Sequence, residues 1–176
     1  MTGAPQEVPL RDVPPEREAG AGSQGSAPVF HASSTLRVVF DTNVLVSLYV
    51  FADSRFAPLR TRIDGGEWLA LTNEACLGEF RRVLAYPQFA LGGERQQEAL
   101  AAYGARAIRH DAAPRPPVAD LPRCQDGDDQ KFLELARDAG ADWLVTADKA
   151  LLRLARRDRL RGLFRILTPE AALAAV

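Results

Sequence analysis

Four acidic side chains are the residues of this sequence best suited to do chemistry. Asp41 ends a short apolar run, and Asp148 follows a later run after two intervening residues. Glu79 and Asp129 lie in amphipathic segments. Clustered carboxylates repel one another unless a cation neutralises them. An oxygen-rich cluster without histidine suits Mg²⁺ or Mn²⁺, which are hard ions that also bind phosphates.

Short apolar runs alternate with amphipathic segments, and these are the elements that must position the acids. Strands are predicted over residues 36–40, 68–71, 143–146 and 164–167. Helices are predicted from residue 44 and over about 58–63, 74–86, 94–108, 128–139 and 149–157, with a short closing helix after Thr168. This order predicts an α/β fold with a mostly parallel sheet, whose ligand site lies beyond the carboxyl ends of the strands. Asp41 and Asp148 then project from the same edge if their strands are neighbours.

Helical periodicity indicates whether Asp129 and Glu79 can reach that edge. At about 100° per residue, Asp129 starts an inward-facing row that continues through Phe132 and Leu133. Asp128 shares much of this face, so the periodicity does not separate Asp128 from Asp129. Glu79 flanks the apolar arc of its own helix and can reach inward.

Each of these acids also has a purely structural interpretation. Asp41 and Asp148 can cap the helices that follow them. Asp128 and Asp129 can complement a helix dipole, and Glu79 can lie at a boundary with its carboxylate in solvent. The catalytic interpretation is favoured because the four acids named first are all predicted at one end of one sheet.

Composition is that of a soluble chain with one domain. The 176 residues include 22 Lys and Arg against 23 Asp and Glu, a net charge of −1, and 47% are hydrophobic. This balance excludes a strongly basic nucleic-acid coat and an acidic tail protein. No apolar stretch approaches the roughly 20 residues of a membrane-spanning helix, and no signal peptide is recognised. Two cysteines cannot build a disulfide framework, so we expect a cytoplasmic protein without membrane contact.

Residues 1–34 differ in composition from the rest of the chain. They contain five prolines and four glycines, with almost no apolar periodicity. This composition is typical of a disordered leader. The predicted organisation is therefore a leader over residues 1–34 and a single domain over residues 35–176.

A basic run lies between residues 149 and 165. It holds seven basic residues against one acid, a local charge of about +6. Such a charge favours contact with a nucleic-acid backbone. The candidates for this contact are Arg153, Arg156 and Arg157, and the alternative is a solvated helix face.

Four motifs in this order resemble the successive signatures of a PIN domain. They are VVFDTNVLVS at residues 38–47, EF at 79–80, DGDDQKFLELA at 126–136 and LVTAD at 144–148. The similarity runs from about residue 36 to residue 170 and is greatest to the subgroup of toxin components of toxin–antitoxin pairs. It implies a three-layer α/β fold, with a mostly parallel sheet of about five strands flanked by helices, and a metal-dependent ribonuclease activity.

The resemblance also implies roles for individual residues. The catalytic acids are Asp41, Glu79, Asp129 and Asp148. Three of them hold Mg²⁺ or Mn²⁺, namely Asp41, Asp129 and Asp148. The supporting polar residues are Thr42, Asn43, Thr146 and Asp128. Gln130 and Gly127 stand where the subgroup often has Asp and Pro, which leaves the choice between Asp128 and Asp129 open.

The leading hypothesis is a Mg²⁺- or Mn²⁺-dependent endoribonuclease that cleaves single-stranded RNA as the toxin of a toxin–antitoxin pair. The partners expected on this hypothesis are single-stranded RNA, a cognate antitoxin protein and a second copy of the chain. One alternative is a catalytically idle PIN module that binds RNA or protein. Another is a phosphoacceptor signalling domain, which is disfavoured because Thr42 and Asn43, rather than a second acid, follow Asp41.

Overall fold

Five parallel strands form one sheet in the part of the chain that the structure describes. The structure is a computed structural model and describes residues 35–110 and 121–175. The strands are β1 (Leu36–Phe40), β2 (Trp68–Thr72), β3 (Ala107–Arg109), β4 (Trp143–Val145) and β5 (Arg165–Leu167). Their order is β3-β2-β1-β4-β5, and each neighbouring pair is parallel. The predicted α/β fold with a parallel sheet of about five strands is confirmed.

Seven α-helices within the same two stretches accompany the sheet. They are α1 (Thr42–Tyr49), α2 (Ala57–Asp64), α3 (Glu74–Leu84), α4 (Gly93–Gly104), α5 (Gln130–Asp138), α6 (Lys149–Leu154) and α7 (Pro169–Ala174). Short 3₁₀ turns cover Ser54–Phe56, Pro87–Phe89, Gly127–Asp129 and Asp158–Leu160. Within the described residues, no helix has the length and apolar character that crossing a membrane would need.

The central strand β1 is buried on both of its faces. Successive side chains of a strand point to opposite faces of the sheet. Val38 and Phe40 pack in one hydrophobic cluster with α1 to α4, whereas Val39 packs in a second cluster with α5 and α6. A strand covered on both sides needs a continuous apolar run, which the end of β1 provides. The sheet is thus the middle of three layers.

Polar residues cap the helices that follow four of the strands. They are Asp41 before α1, Asn73 before α3, Asp148 before α6 and Thr168 before α7. Each side chain accepts a hydrogen bond from a backbone N–H of the first helical turn. Two of the predicted catalytic acids are therefore also helix caps at the carboxyl edge of the sheet.

Some predicted boundaries differ from the structure. The helix expected over residues 94–108 ends at Gly104, and residues 107–109 form the edge strand β3. The sequence of these three residues does not distinguish them from the end of the preceding helix, and in the structure they pair with β2. The helix expected to reach residue 157 ends at Leu154. The predicted leader over residues 1–34 lies outside the described residues, so the division into leader and domain stays a prediction.

Candidate active site

Asp41 lies directly after β1, where its backbone N–H donates to the carbonyl of Val145 at 3.0 Å. Asp41 is only 3% exposed. Its Oδ2 accepts a hydrogen bond from Thr146 Oγ1 at 2.7 Å, and its Oδ1 accepts one from the backbone N–H of Asn43 at 3.4 Å. Burial raises the pKa of the Asp41 carboxyl, and the hydrogen bond from Thr146 opposes that rise. The ionised carboxylate is therefore held in place in an environment that disfavours its charge.

Thr146 connects Asp41 to Asp148. The Thr146 side chain is fully buried, and its Oγ1 accepts a hydrogen bond from the backbone N–H of Asp148 at 2.9 Å while its hydroxyl donates to Asp41. Asp148 Oδ1 in turn accepts from the N–H groups of Ala150 and Leu151 at 2.6 and 3.0 Å. These bonds fix the two acids relative to each other across the neighbouring strands β1 and β4.

Asp129 is the last residue of a 3₁₀ turn and directly precedes α5. Its pKa is raised to about 6, first by burial and then by the negative charges of other acids. Those acids include Asp41, Asp148 and Glu79. Asp41, Asp148 and Glu79 therefore lie near enough to Asp129 for their charges to act on it, and Asp41 and Asp148 follow the neighbouring strands β1 and β4.

Asp128, predicted as a supporting residue, is exposed and lies near a basic side chain of α3. Its side chain is 75% exposed and lies 3.8 Å from the guanidinium of Arg82. Helical periodicity does not separate Asp128 from Asp129, and its use here requires a regular α-helix from residue 128. In the structure a 3₁₀ turn covers Gly127–Asp129, and α5 begins only at Gln130, so α-helical spacing does not apply to Asp128 and Asp129.

Glu79 of α3 forms an ion pair with Lys131 of α5. The side chains are only 13% and 18% exposed, respectively. Sequence reasoning assigned no role to Lys131. One signal was available, because a lysine in the first turn of a helix faces the positive end of the helix dipole. Such a placement is unfavourable unless an acid nearby compensates for it.

The other two predicted supporting residues contribute in different ways. Asn43 is exposed and provides its backbone N–H to Asp41. Thr42 is 2% exposed, and its Oγ1 has no hydrogen-bond partner among the described residues. Thr42 Oγ1 is therefore a buried polar atom that adjoins Asp41 in the sequence.

A family model described as a PIN domain matches residues 37–150, a stretch that contains all four acids. The chain belongs to the PIN domain family. PIN domains are generally nucleases, act on nucleic acid and typically use divalent metal ions. Compared with the curated proteins, the chain shows no match.

The acids of this PIN domain have the chemistry of a divalent-metal site but do not form a ready-made one. Within residues 35–110 and 121–175, no three His, Cys, Asp or Glu side chains stand close enough to hold an ion together. Lys131 forms an ion pair with Glu79, and a backbone N–H at the N-terminus of α6 donates a hydrogen bond to one oxygen of Asp148. Burial and mutual repulsion raise the pKa of Asp129, and a divalent cation would relieve that repulsion. The ligand types and charges fit Mg²⁺ or Mn²⁺, provided that these internal contacts loosen.

Several basic side chains of this PIN domain lie on α6 or just after it. The helix α6 follows Asp148 directly. Arg153, Arg156 and Arg157 are all exposed. Arg156 lines three adjoining grooves, one beside Lys149 and Arg153, one beside Pro122 and Arg123, and one of about 730 Å³ along β5. Exposed arginines at these three positions offer positive charge to an extended anion.

Proposed function

We propose that this PIN domain is a Mg²⁺- or Mn²⁺-dependent endoribonuclease that cleaves single-stranded RNA. The observation that carries the proposal is the pair of hydrogen bonds by which Thr146 holds Asp41 and Asp148 together at the carboxyl edge of the sheet. Burial and the negative charges of these two acids also raise the pKa of Asp129. Perturbed carboxylates that share one site are characteristic of catalytic centres. The proposal gives Asp41, Asp129 and Asp148 the role of metal ligands and adds Glu79 as the fourth catalytic acid.

The protein side chains hold and orient the reacting groups in this proposal. A bound divalent ion would supply an activated water and stabilise negative charge on the phosphate. Thr146 keeps Asp41 and Asp148 aligned through its two hydrogen bonds. Glu79 either helps to hold the ion or accepts a proton from the attacking water.

Cleavage of a single-stranded RNA in Mg²⁺, Mn²⁺ or EDTA tests the reaction. We expect Asp41→Asn, Asp129→Asn and Asp148→Asn to lower the rate by roughly 100-fold or more, since each removes a charged ligand with little change of shape. Asp128→Asn is the matched control and should keep most of the activity, because Asp128 faces Arg82. Full activity of Asp41→Asn, or cleavage in EDTA, contradicts the proposal. RNA binding without cleavage by the wild type would favour the idle module.

The arginines around α6 are proposed to bind the RNA backbone without taking part in the chemistry. Contacts to phosphates supply affinity that depends on salt and little on sequence. Arg156→Glu and Arg157→Glu should weaken RNA binding and flatten its dependence on salt. Arg95→Glu makes the same charge change on α4, which packs in the other core cluster, and should have little effect. Equal losses in all three variants would indicate a non-specific effect of net charge.

The proposed biological role is that of a toxin that acts in the cytoplasm and is held by a cognate antitoxin protein. The resemblance of the motifs to the toxin subgroup supports this role. Expression of the wild type should arrest bacterial growth, and expression of Asp41→Asn should not. A small DNA-binding protein encoded next to this one should restore growth, and its capture as a complex would also reveal whether the chain forms a homodimer.

A further inference from the structure

Lys131 is a basic residue that the fold places against Glu79, one of the four acids. Its Nζ forms the ion pair with Glu79 Oε2 and donates to the backbone carbonyl of Asp128. The same ammonium lies 5.0 Å from the centre of the Phe132 ring. Three groups therefore fix the Lys131 side chain, which is largely buried between α3 and α5.

The contact with Lys131 sets Glu79 apart from two of the other acids. Asp41 accepts hydrogen bonds from a hydroxyl and a backbone N–H, and Asp148 accepts from two backbone N–H groups. Neutral donors leave a carboxylate its full negative charge. Glu79 instead faces a positive charge that repels any second cation at the same oxygen. A divalent ion and the Lys131 ammonium must therefore compete for Glu79.

We infer that Lys131 is an internal counter-cation, which holds Glu79 in the metal-free protein and is displaced when a divalent ion binds. The inference rests on the proposed function, because it takes Glu79 as part of the metal site. Lys131 is a positioning residue on this account. It keeps α3 and α5 together while the carboxylates lack a metal ion, and it lowers the affinity of the site for that ion.

The inference predicts opposite effects of one substitution on stability and on metal affinity. Lys131→Met removes the ammonium and keeps an unbranched side chain of similar length. The metal-free variant should unfold at a lower temperature, because Glu79 is left buried without its partner. The same variant should bind Mn²⁺ about tenfold more tightly than the wild type, because the competing cation is gone. A salt bridge with only a structural role predicts the loss of stability but no tighter binding.

A double-mutant cycle measured by calorimetric titration with Mn²⁺ tests the competition. The cycle uses the wild type, Lys131→Met, Glu79→Gln and the double variant. The tightening caused by Lys131→Met should vanish in the Glu79→Gln background, because the competition takes place at that carboxylate. Lys149→Met is the matched control, since it removes an exposed lysine next to Asp148 and leaves the ion pair intact.

The outcomes distinguish this inference from the proposed function. Unchanged or weaker Mn²⁺ binding by Lys131→Met overturns the inference, as does an equal tightening in Glu79→Gln or in Lys149→Met. If Mn²⁺ binds to neither the wild type nor any variant, the metal-dependent function fails together with the inference. Lys131→Arg keeps a cation beside Glu79 and guards against a folding defect, and it should retain affinity near that of the wild type.

Discussion

Thr146 shows how one buried side chain can position two acids. Its hydroxyl donates to Asp41 while its oxygen accepts from the N–H of Asp148. Thr146→Val keeps the shape and removes both bonds, so Mn²⁺ affinity and cleavage should fall by about 10- to 100-fold, as for other residues that orient metal ligands. Thr146→Ser keeps the hydroxyl and should retain most of the Mn²⁺ affinity and most of the cleavage rate. Equal losses in the two variants would mean that packing, rather than the hydroxyl, matters at this position.

Asp129 makes the site sensitive to pH. Ion binding requires an ionised carboxylate, and the pKa of Asp129 is raised to about 6. Mn²⁺ affinity should therefore fall by about tenfold per pH unit below pH 6, as a proton competes for the carboxylate. A titration repeated between pH 5 and pH 8 checks this, and a flat profile would contradict it.

The same raised pKa predicts how the stability of the metal-free protein changes with pH. The folded state binds the Asp129 proton more tightly than the unfolded state, so this group favours folding as the pH falls from about 6 towards 4. Asp129→Asn removes the charge at every pH. In EDTA, the variant should be more stable than the wild type at pH 7, and the difference in melting temperature should narrow by pH 4.

At the level of single residues, the sequence indicates the acids better than their partners. Asp41 and Asp148 could be placed at one edge because each follows an apolar run, which is a local feature. Asp128 lies in a 3₁₀ turn, which α-helical periodicity does not describe. The ion pair between Glu79 and Lys131 joins two helices far apart in the chain, so only the packing of α3 against α5 reveals it.

At the level of elements, α6 depends on an acid that is also a proposed metal ligand. This helix has only six residues, and Asp148 satisfies two of its first N–H groups. Asp148→Asn keeps a capping oxygen and should leave the melting temperature nearly unchanged while metal binding is lost. Asp148→Ala removes the capping oxygen as well as the metal ligand. It should therefore lose metal binding and also lower the free energy of unfolding by about 1 kcal/mol.

Another helix offers the control for this experiment. Thr168 caps α7 through the N–H of Ala171, and it is not among the proposed site residues. Thr168→Ala should cost a similar free energy of unfolding, about 1 kcal/mol, without changing Mn²⁺ affinity. A loss of Mn²⁺ affinity in this variant would show that binding simply follows stability.

Elements were predictable where they were long or buried on both faces. The strands β1 and β2 are easy to recognise in the sequence because their apolar runs contribute side chains to the hydrophobic clusters on both faces of the sheet. β3 has three residues, of which Ile108 is 47% exposed, and its conformation comes from pairing with β2. β5 also has three residues at a sheet edge, but its mostly apolar run over residues 164–167 could be recognised in the sequence, whereas Ala107–Arg109 has no such run.

At the level of the whole molecule, the core is built from residues that the PIN domain and its closing helix supply. Within residues 35–110 and 121–175, its buried and partly buried members lie between Leu36 and Leu173. Residues 1–33 show almost no apolar periodicity, so a chain that begins at Ser34 should keep its melting temperature, its Mn²⁺ affinity and its rate of RNA cleavage. The full-length chain measured in parallel is the control. A large loss in any of the three would show that residues 1–33 contribute to folding or binding.

The two tryptophans of the chain both start strands and lie at the opposite end of the sheet from the acids. Trp68 opens β2 and Trp143 opens β4, and their rings meet edge to face with centroids 5.4 Å apart. Both are almost completely buried in the cluster that contains Val38 and Phe40. The unlabelled chain thus has its own optical probe, because indole fluorescence and exciton-coupled circular dichroism report the opening of the core. Ions that bind at the carboxyl edge should leave the indole fluorescence and the circular dichroism unchanged. Both signals should change only when the protein unfolds.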